Sequence, residues 1–230
     1  MALLHGLKWR LDMGMVFAPG CALKLYKPEL TGKTLDYLRK NVDGSITELM
    51  TCCDHDPHLP LGTVVINACP GCDRTYSTQF MGVGSISLWE VIVSCADFPY
   101  PDYHGAEMTV LDACVTRANK RAQDAVRILL ERMNIKVIEA DHIRQDTICC
   151  GDKLFGHMSD EDVHKKMRER EEKMPREDVA NYCMGCTRAI EIGGRTPRYL
   201  LDLLFGEETT KGILTSDRWN STIEKYADEH

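Results

Sequence analysis

The sequence predicts an α/β protein of two pseudo-repeated α/β units, residues 1–105 and 106–230, each with a small, mostly parallel sheet. Three observations lead there. Short β-branched or apolar runs alternate with longer stretches of helical period. Ten of the eleven cysteines fall into two sets of the same internal order: a single, an adjacent pair, a C-x-x-C. These are Cys21, Cys52-Cys53, Cys69-x2-Cys72 and Cys114, Cys149-Cys150, Cys183-x2-Cys186. Between the sets, residues 96–106 hold two prolines and a glycine without helical period, and read as a linker.

Residues 1–14 carry Leu3, Leu4, Leu7, Trp9 and Leu11, read as a tail packed on the core. Met15–Ala18 is an apolar strand ending at Pro19-Gly20, which delivers Cys21 into a loop. Leu35, Leu38 and Val42 mark a helix from about Thr31 that closes at Asp43-Gly44. Residues 45–50 lead into Cys52-Cys53, and Thr63–Asn67 is a strand ending at Cys69-Pro70-Gly71-Cys72. A helix from about Asp73 and another bearing Leu88, Val91 and Ile92 complete the half.

The second half repeats the plan. Met108–Leu111 is a strand running to Cys114, and Ala122, Ala125, Val126, Leu129, Leu130 and Met133 form one helix face. Lys136–Ala140 is a strand, and Val179–Tyr182 is another ending at Cys183. After Gly193-Gly194, Tyr199, Leu200, Leu203, Leu204 and Phe205 make an apolar helix. Cys21 maps to Cys114 by a shift of 93, the adjacent pairs by 97 and the C-x-x-C pairs by 114. The second half thus has seventeen extra residues between Cys150 and Cys183. There Ser159 opens a charged segment to Met174 with a capping-box start, read as a solvated surface helix. Such self-similarity implies two related units about a pseudo-two-fold axis. In parallel sheets ligands gather at the carboxyl ends of strands, where Cys21, Cys69, Cys114 and Cys183 each fall.

A formal charge of -7 argues against non-specific nucleic-acid binding. No run approaches the ~20 apolar residues of a membrane span, and the first ten residues are too interrupted for a secretory signal. A cytoplasmic protein is expected. In that reducing compartment clustered cysteines bind metal or do redox work rather than staple a fold. Tetrahedral zinc and a cubane cluster each want four ligands, and each set offers five. The side chains of an adjacent pair diverge from one backbone, so they suit neighbouring metals better than one shared ion. A polynuclear cluster is the expectation. Cys95, outside both sets, reads as a small buried hydrophobe.

Over most of its length the sequence resembles the cysteine-rich CCG-domain family, best known from heterodisulfide reductase. The most specific part of the resemblance is Asp112-Ala113-Cys114, Cys149-Cys150-Gly151, Tyr182-Cys183-Met184-Gly185-Cys186 and the run from Gly193-Gly194 to Phe205. It implies a non-cubane [4Fe–4S] cluster on Cys114, Cys149, Cys150, Cys183 and Cys186. A second would sit on Cys21, Cys52, Cys53, Cys69 and Cys72, with both metal sites at the interface of the two units. The first set departs from the pattern. Asp54 follows its pair where the family has glycine, and only fifteen residues separate Cys53 from Cys69. Those departures leave room there for zinc, another cluster or a histidine ligand, although His55 and His58 read as surface residues.

The resemblance further implies an anaerobic oxidoreductase acting on a disulfide that lies between two clusters, each delivering one electron to one sulfur. His104 and His157 are candidate acid–base groups; both also fit as solvated histidines. Two alternatives stand beside this reading: an electron-transfer subunit between a flavoprotein and another acceptor, and a zinc-binding structural module. Gly82-Val83-Gly84 lacks the third glycine of a dinucleotide loop. Electrons must therefore come from a redox partner, a flavoprotein or a ferredoxin-like protein, or from an external carrier.

Overall fold

Two four-stranded sheets, every pairing parallel, organise the chain, with nine α-helices among the described residues. The structure is a computed structural model that describes residues 14–230. The apolar tail expected over 1–14 lies outside these, apart from Gly14.

In the first unit β1 (Met15–Ala18) is central, with β2 (Thr47–Glu48) on one side and β3 (Val64–Asn67) then β4 (Gly84–Ser87) on the other. All four residues of β3 are buried, as its β-branched run requires of a strand covered on both faces. Helix α1 (Cys21–Tyr26) follows β1, and α2 (Pro28–Asn41) starts with proline at its first position, where the missing N–H costs nothing. Its Leu30, Leu35 and Leu38 are buried. Helices α3 (Pro70–Gln79) and α4 (Leu88–Ser94) follow β3 and β4, and the Ser87 hydroxyl caps α4 by accepting from the Glu90 N–H.

The second unit has the same strand order. Here β5 (Glu107–Leu111) is central, flanked by β6 (Lys136–Val137) and by β7 (Asp178–Asn181) then β8 (Thr196–Tyr199). Helix α5 (Lys120–Arg132), capped by the Asn119 side chain, buries Ala122, Ala125, Val126, Leu129 and Leu130, the face expected from its period. Helices α6 (Asp160–Glu171), α7 (Met184–Ile192) and α8 (Leu200–Leu204) complete the unit. Two sheets of identical order bear out the two pseudo-repeated α/β units.

Several elements differ from expectation. The sequence shows no signal for β4 or β8, because Gly84 and Pro197 are poor strand residues; both strands are sheet edges, where such residues are tolerated. Tyr199 ends β8 instead of opening a helix. The strand expected over 136–140 is only Lys136–Val137. The segment read as a solvated surface helix is α6, capped by Ser159, yet it buries Val163, Met167 and Glu171.

By packing, the described residues up to Phe98 together with Asn220–His230 form the first unit, and Pro99–Trp219 the second. The first break lies within the expected linker. The structure departs from the 106–230 assignment at its end, because most of α9 (Trp219–Glu229) packs with the first unit. The Cys52 N–H anchors it, donating to the His230 carbonyl at 3.0 Å. Among the described residues no helix is long and apolar enough to cross a membrane.

Candidate functional site

In each unit the five cysteines meet at the carboxyl edge of the sheet. Cys21 opens α1 two residues after the Ala18–Pro19 junction that ends β1, and Cys52-Cys53 follow β2. Cys69 is the N-cap of α3, with Cys72 in its first turn. The second unit places Cys114 after β5, Cys149-Cys150 after β6, and Cys183 as the N-cap of α7 with Cys186 in its first turn. A C-x-x-C at a helix start places both sulfurs at the positive end of the helix, although the neighbouring cysteines and burial push the inner thiols, Cys72 and Cys186, well above the usual range.

Gly20, at φ +82°, makes the first set compact. A Cβ there would lie 2.9 Å from Cys69 Cβ and 3.5 Å from Cys72 Sγ, so the turn has room for glycine alone.

In the first set neighbouring thiols act on one another's ionisation in sequence: Cys21 with Cys52, Cys52 with Cys53, Cys53 with Cys72, Cys72 with Cys69. The second set repeats it link for link: Cys114 to Cys149, Cys149 to Cys150, Cys150 to Cys186, Cys186 to Cys183. The first member of each adjacent pair is driven strongly towards thiolate. For Cys52 the cause is hydrogen bonding from Cys21 and Cys53, then the Asp54 N–H and the charge of His55. For Cys149 it is Cys114 and Cys150, then the Gly151 N–H and Arg117. Their neighbours Cys21 and Cys114 are raised, first by donating to those thiolates and then by burial. Cys69 is pulled down to about 7, chiefly by Cys72 and then by the backbone N–H groups of Cys72 and Gly71.

The surroundings of the two sets differ. The first cavity is lined by Lys24, Glu48, Tyr76 and Tyr226 together with Cys21, Cys52, Cys53 and Cys72, and Lys24 and Glu48 form an ion pair of 2.5 Å in that lining. Tyr76 is buried, and its hydroxyl has no hydrogen-bond partner among the described residues. In the second unit the Tyr182 hydroxyl links Asp112, Ala113 and Thr116, and Thr147 Oγ1 donates to the Asp112 carbonyl at 2.9 Å. The three cysteine-bearing segments are thus tied behind the sulfurs. The Asp152 carboxylate lies against Gly185, where a Cβ would be 2.6 Å from Oδ2, and Arg188 faces Asp152 at 3.5 Å while stacking on Phe155.

All ten expected site cysteines are therefore brought together, five in each unit, and all eleven cysteines are free thiols. Cys95 is half-buried, not fully buried; its Sγ donates to the Val91 carbonyl at 3.4 Å. His55, His58, His104 and His157 are exposed, and His58 and His104 each lie 3.5 Å from an aspartate. Tyr76 and Tyr226 escape sequence reading because nothing in their spacing ties them to cysteines; the first unit's use of α9 is visible only in three dimensions.

Among the described residues no group of three or more Cys, His, Asp or Glu side chains is set up to hold a metal ion. As a donor set the cysteines nevertheless fit a sulfur-ligated polynuclear group: five thiols in each unit, at least one of them biased to thiolate, two at a helix start. In the first unit the orphaned Tyr76 hydroxyl adds a donor without an acceptor. No family model matches this chain and no curated protein matches it.

Proposed function

We propose that the chain is an iron–sulfur redox protein, the disulfide-reducing component of a complex resembling heterodisulfide reductase. Cys114, Cys149, Cys150, Cys183 and Cys186 would hold one non-cubane [4Fe–4S] cluster, and Cys21, Cys52, Cys53, Cys69 and Cys72 a second. The observation that carries the reading is the duplicated placement of five cysteines at the carboxyl edge of each sheet: one after the first strand, an adjacent pair after the short edge strand, and a C-x-x-C opening a helix. A structural zinc site has no use for a fifth thiol and would not require it in both units.

When bound, such a cluster supplies or accepts one electron at a time. The chain's own residues hold it, through helix-start and loop thiolates, and limit water at it through burial. Reduction of a disulfide to two thiols consumes two electrons and two protons. With no dinucleotide loop in the sequence, a flavoprotein or ferredoxin-like redox partner provides the electrons and solvent the protons. Protein prepared without oxygen should oxidise reduced viologen when a small disulfide is added, with one disulfide lost and two thiols formed per two viologens. Viologen oxidation that is independent of every disulfide offered would refute the substrate class and leave electron transfer.

A further inference from the structure

Tyr76 is 1 % exposed, and its hydroxyl has no hydrogen-bond partner among the described residues. A buried, unsatisfied hydroxyl is costly, and such groups in native proteins usually have a partner or a task. The ring is fixed: it packs with Ala18, Val65 and Cys72 in the core and lies 5.4 Å from the Phe80 ring. It cannot reach water without opening that core. The same residue lines the cavity of Cys21, Cys52, Cys53 and Cys72. The position related by the C-x-x-C shift of 114 is Ile190, buried and without a donor.

We propose that Tyr76 is a positioning residue whose hydroxyl donates a hydrogen bond to the anionic, sulfur-rich group held by the first thiol set. The acceptor is a thiolate or an inorganic sulfide of that group. The inference rests on the reading above only in that the first set holds a group; it does not depend on which metal. It makes the two sites unequal, since hydrogen bonds to cluster sulfurs and burial are what set cluster potentials.

Tyr76→Phe separates this role from a packing role, because the ring stays and only the hydroxyl goes. In the metal-free chain the variant is expected to melt at or above the wild-type temperature, an unpaired buried group having been removed. In the metal-loaded chain the sign reverses. Chelator should strip metal from the first set several times faster in the variant, while the second set is unaffected. With iron loaded, the midpoint potential of the first centre should also fall relative to the second. Equal stripping rates, or a variant that destabilises the metal-free chain, would overturn the proposal. Wild-type protein holding metal other than iron would refute the iron–sulfur reading while leaving the stripping comparison intact; wild-type protein holding no metal would overturn both.

Discussion

The Tyr182 hydroxyl donates to the Asp112 carboxylate at 3.0 Å, joining the residue two before Cys114 to the residue one before Cys183. The same hydroxyl accepts from the Ala113 N–H at 3.2 Å and meets Thr116 Oγ1 at 2.9 Å. Asp112 is also held by both Arg127 terminal nitrogens, at 3.0 and 2.8 Å, and by the Arg144 N–H. One buried carboxylate therefore fixes the relative position of two cysteine-bearing loops seventy residues apart in sequence. The first unit has Pro19 and Ala68 at these places, neither with a side chain that could build the network.

Tyr182→Phe should cost about 2 kcal/mol of stability, a charged hydrogen bond lost within the core. Asp112→Ala should cost ~3–5 kcal/mol, because it leaves the Arg127 guanidinium, 13 % exposed, without its main buried partner. Urea unfolding of the metal-free variants measures both. In the metal-loaded protein the second site should loosen in both variants, with the first unchanged.

Glu171 carries a pH dependence of its own. It is fully buried, both carboxylate oxygens lack hydrogen bonds among the described residues, and Gly193 leaves the space it fills. Burial pushes its carboxyl up to about 7, against the opposing charges of Arg170 and Arg195. Below the unfolded value near 4.5 both states are protonated and the folded form keeps its full stability. From there up to 7 only the unfolded chain ionises, so stability falls. Once the pH has risen through the folded value, on the order of 2–4 kcal/mol is gone. Glu171→Gln should flatten stability between pH 4.5 and 7; an unchanged profile in denaturation at several pH values would disprove the assignment.

Helix α9 walls the first thiol set. Tyr226 lines the cavity with Cys21 and Cys52, and its ring stacks on His230 at 4.1 Å. Replacing Tyr226 with Ala should speed maleimide labelling of Cys21 and Cys52 in the metal-free chain about tenfold, by lowering the cost of local opening. Cys114 and Cys149, read by mass spectrometry in the same sample, serve as the reference and should not change.

How much of this the sequence disclosed follows from which forces are local. The duplicated cysteine order, the helix face from Ala122 to Met133 and the strands that deliver Cys21, Cys69, Cys114 and Cys183 rest on short-range periodicity, and all are legible. Strands β4 and β8 are not, since an edge strand is held by its neighbour's backbone and makes small demands on side chains. Glu171 hides inside a charged run because its burial depends on Gly193, a residue of the next helix's end. Tyr76 and the return of α9 to the first unit depend on contacts across the fold, which no spacing encodes.

The most direct test is to purify the chain without oxygen and count iron, acid-labile sulfide and zinc per molecule. Two five-thiolate sites should give a brown protein with about eight irons and comparable sulfide. Replacing Cys149 and Cys150 should halve the iron. A colourless protein with zinc and no sulfide, or one that keeps all its iron after those replacements, would contradict the account.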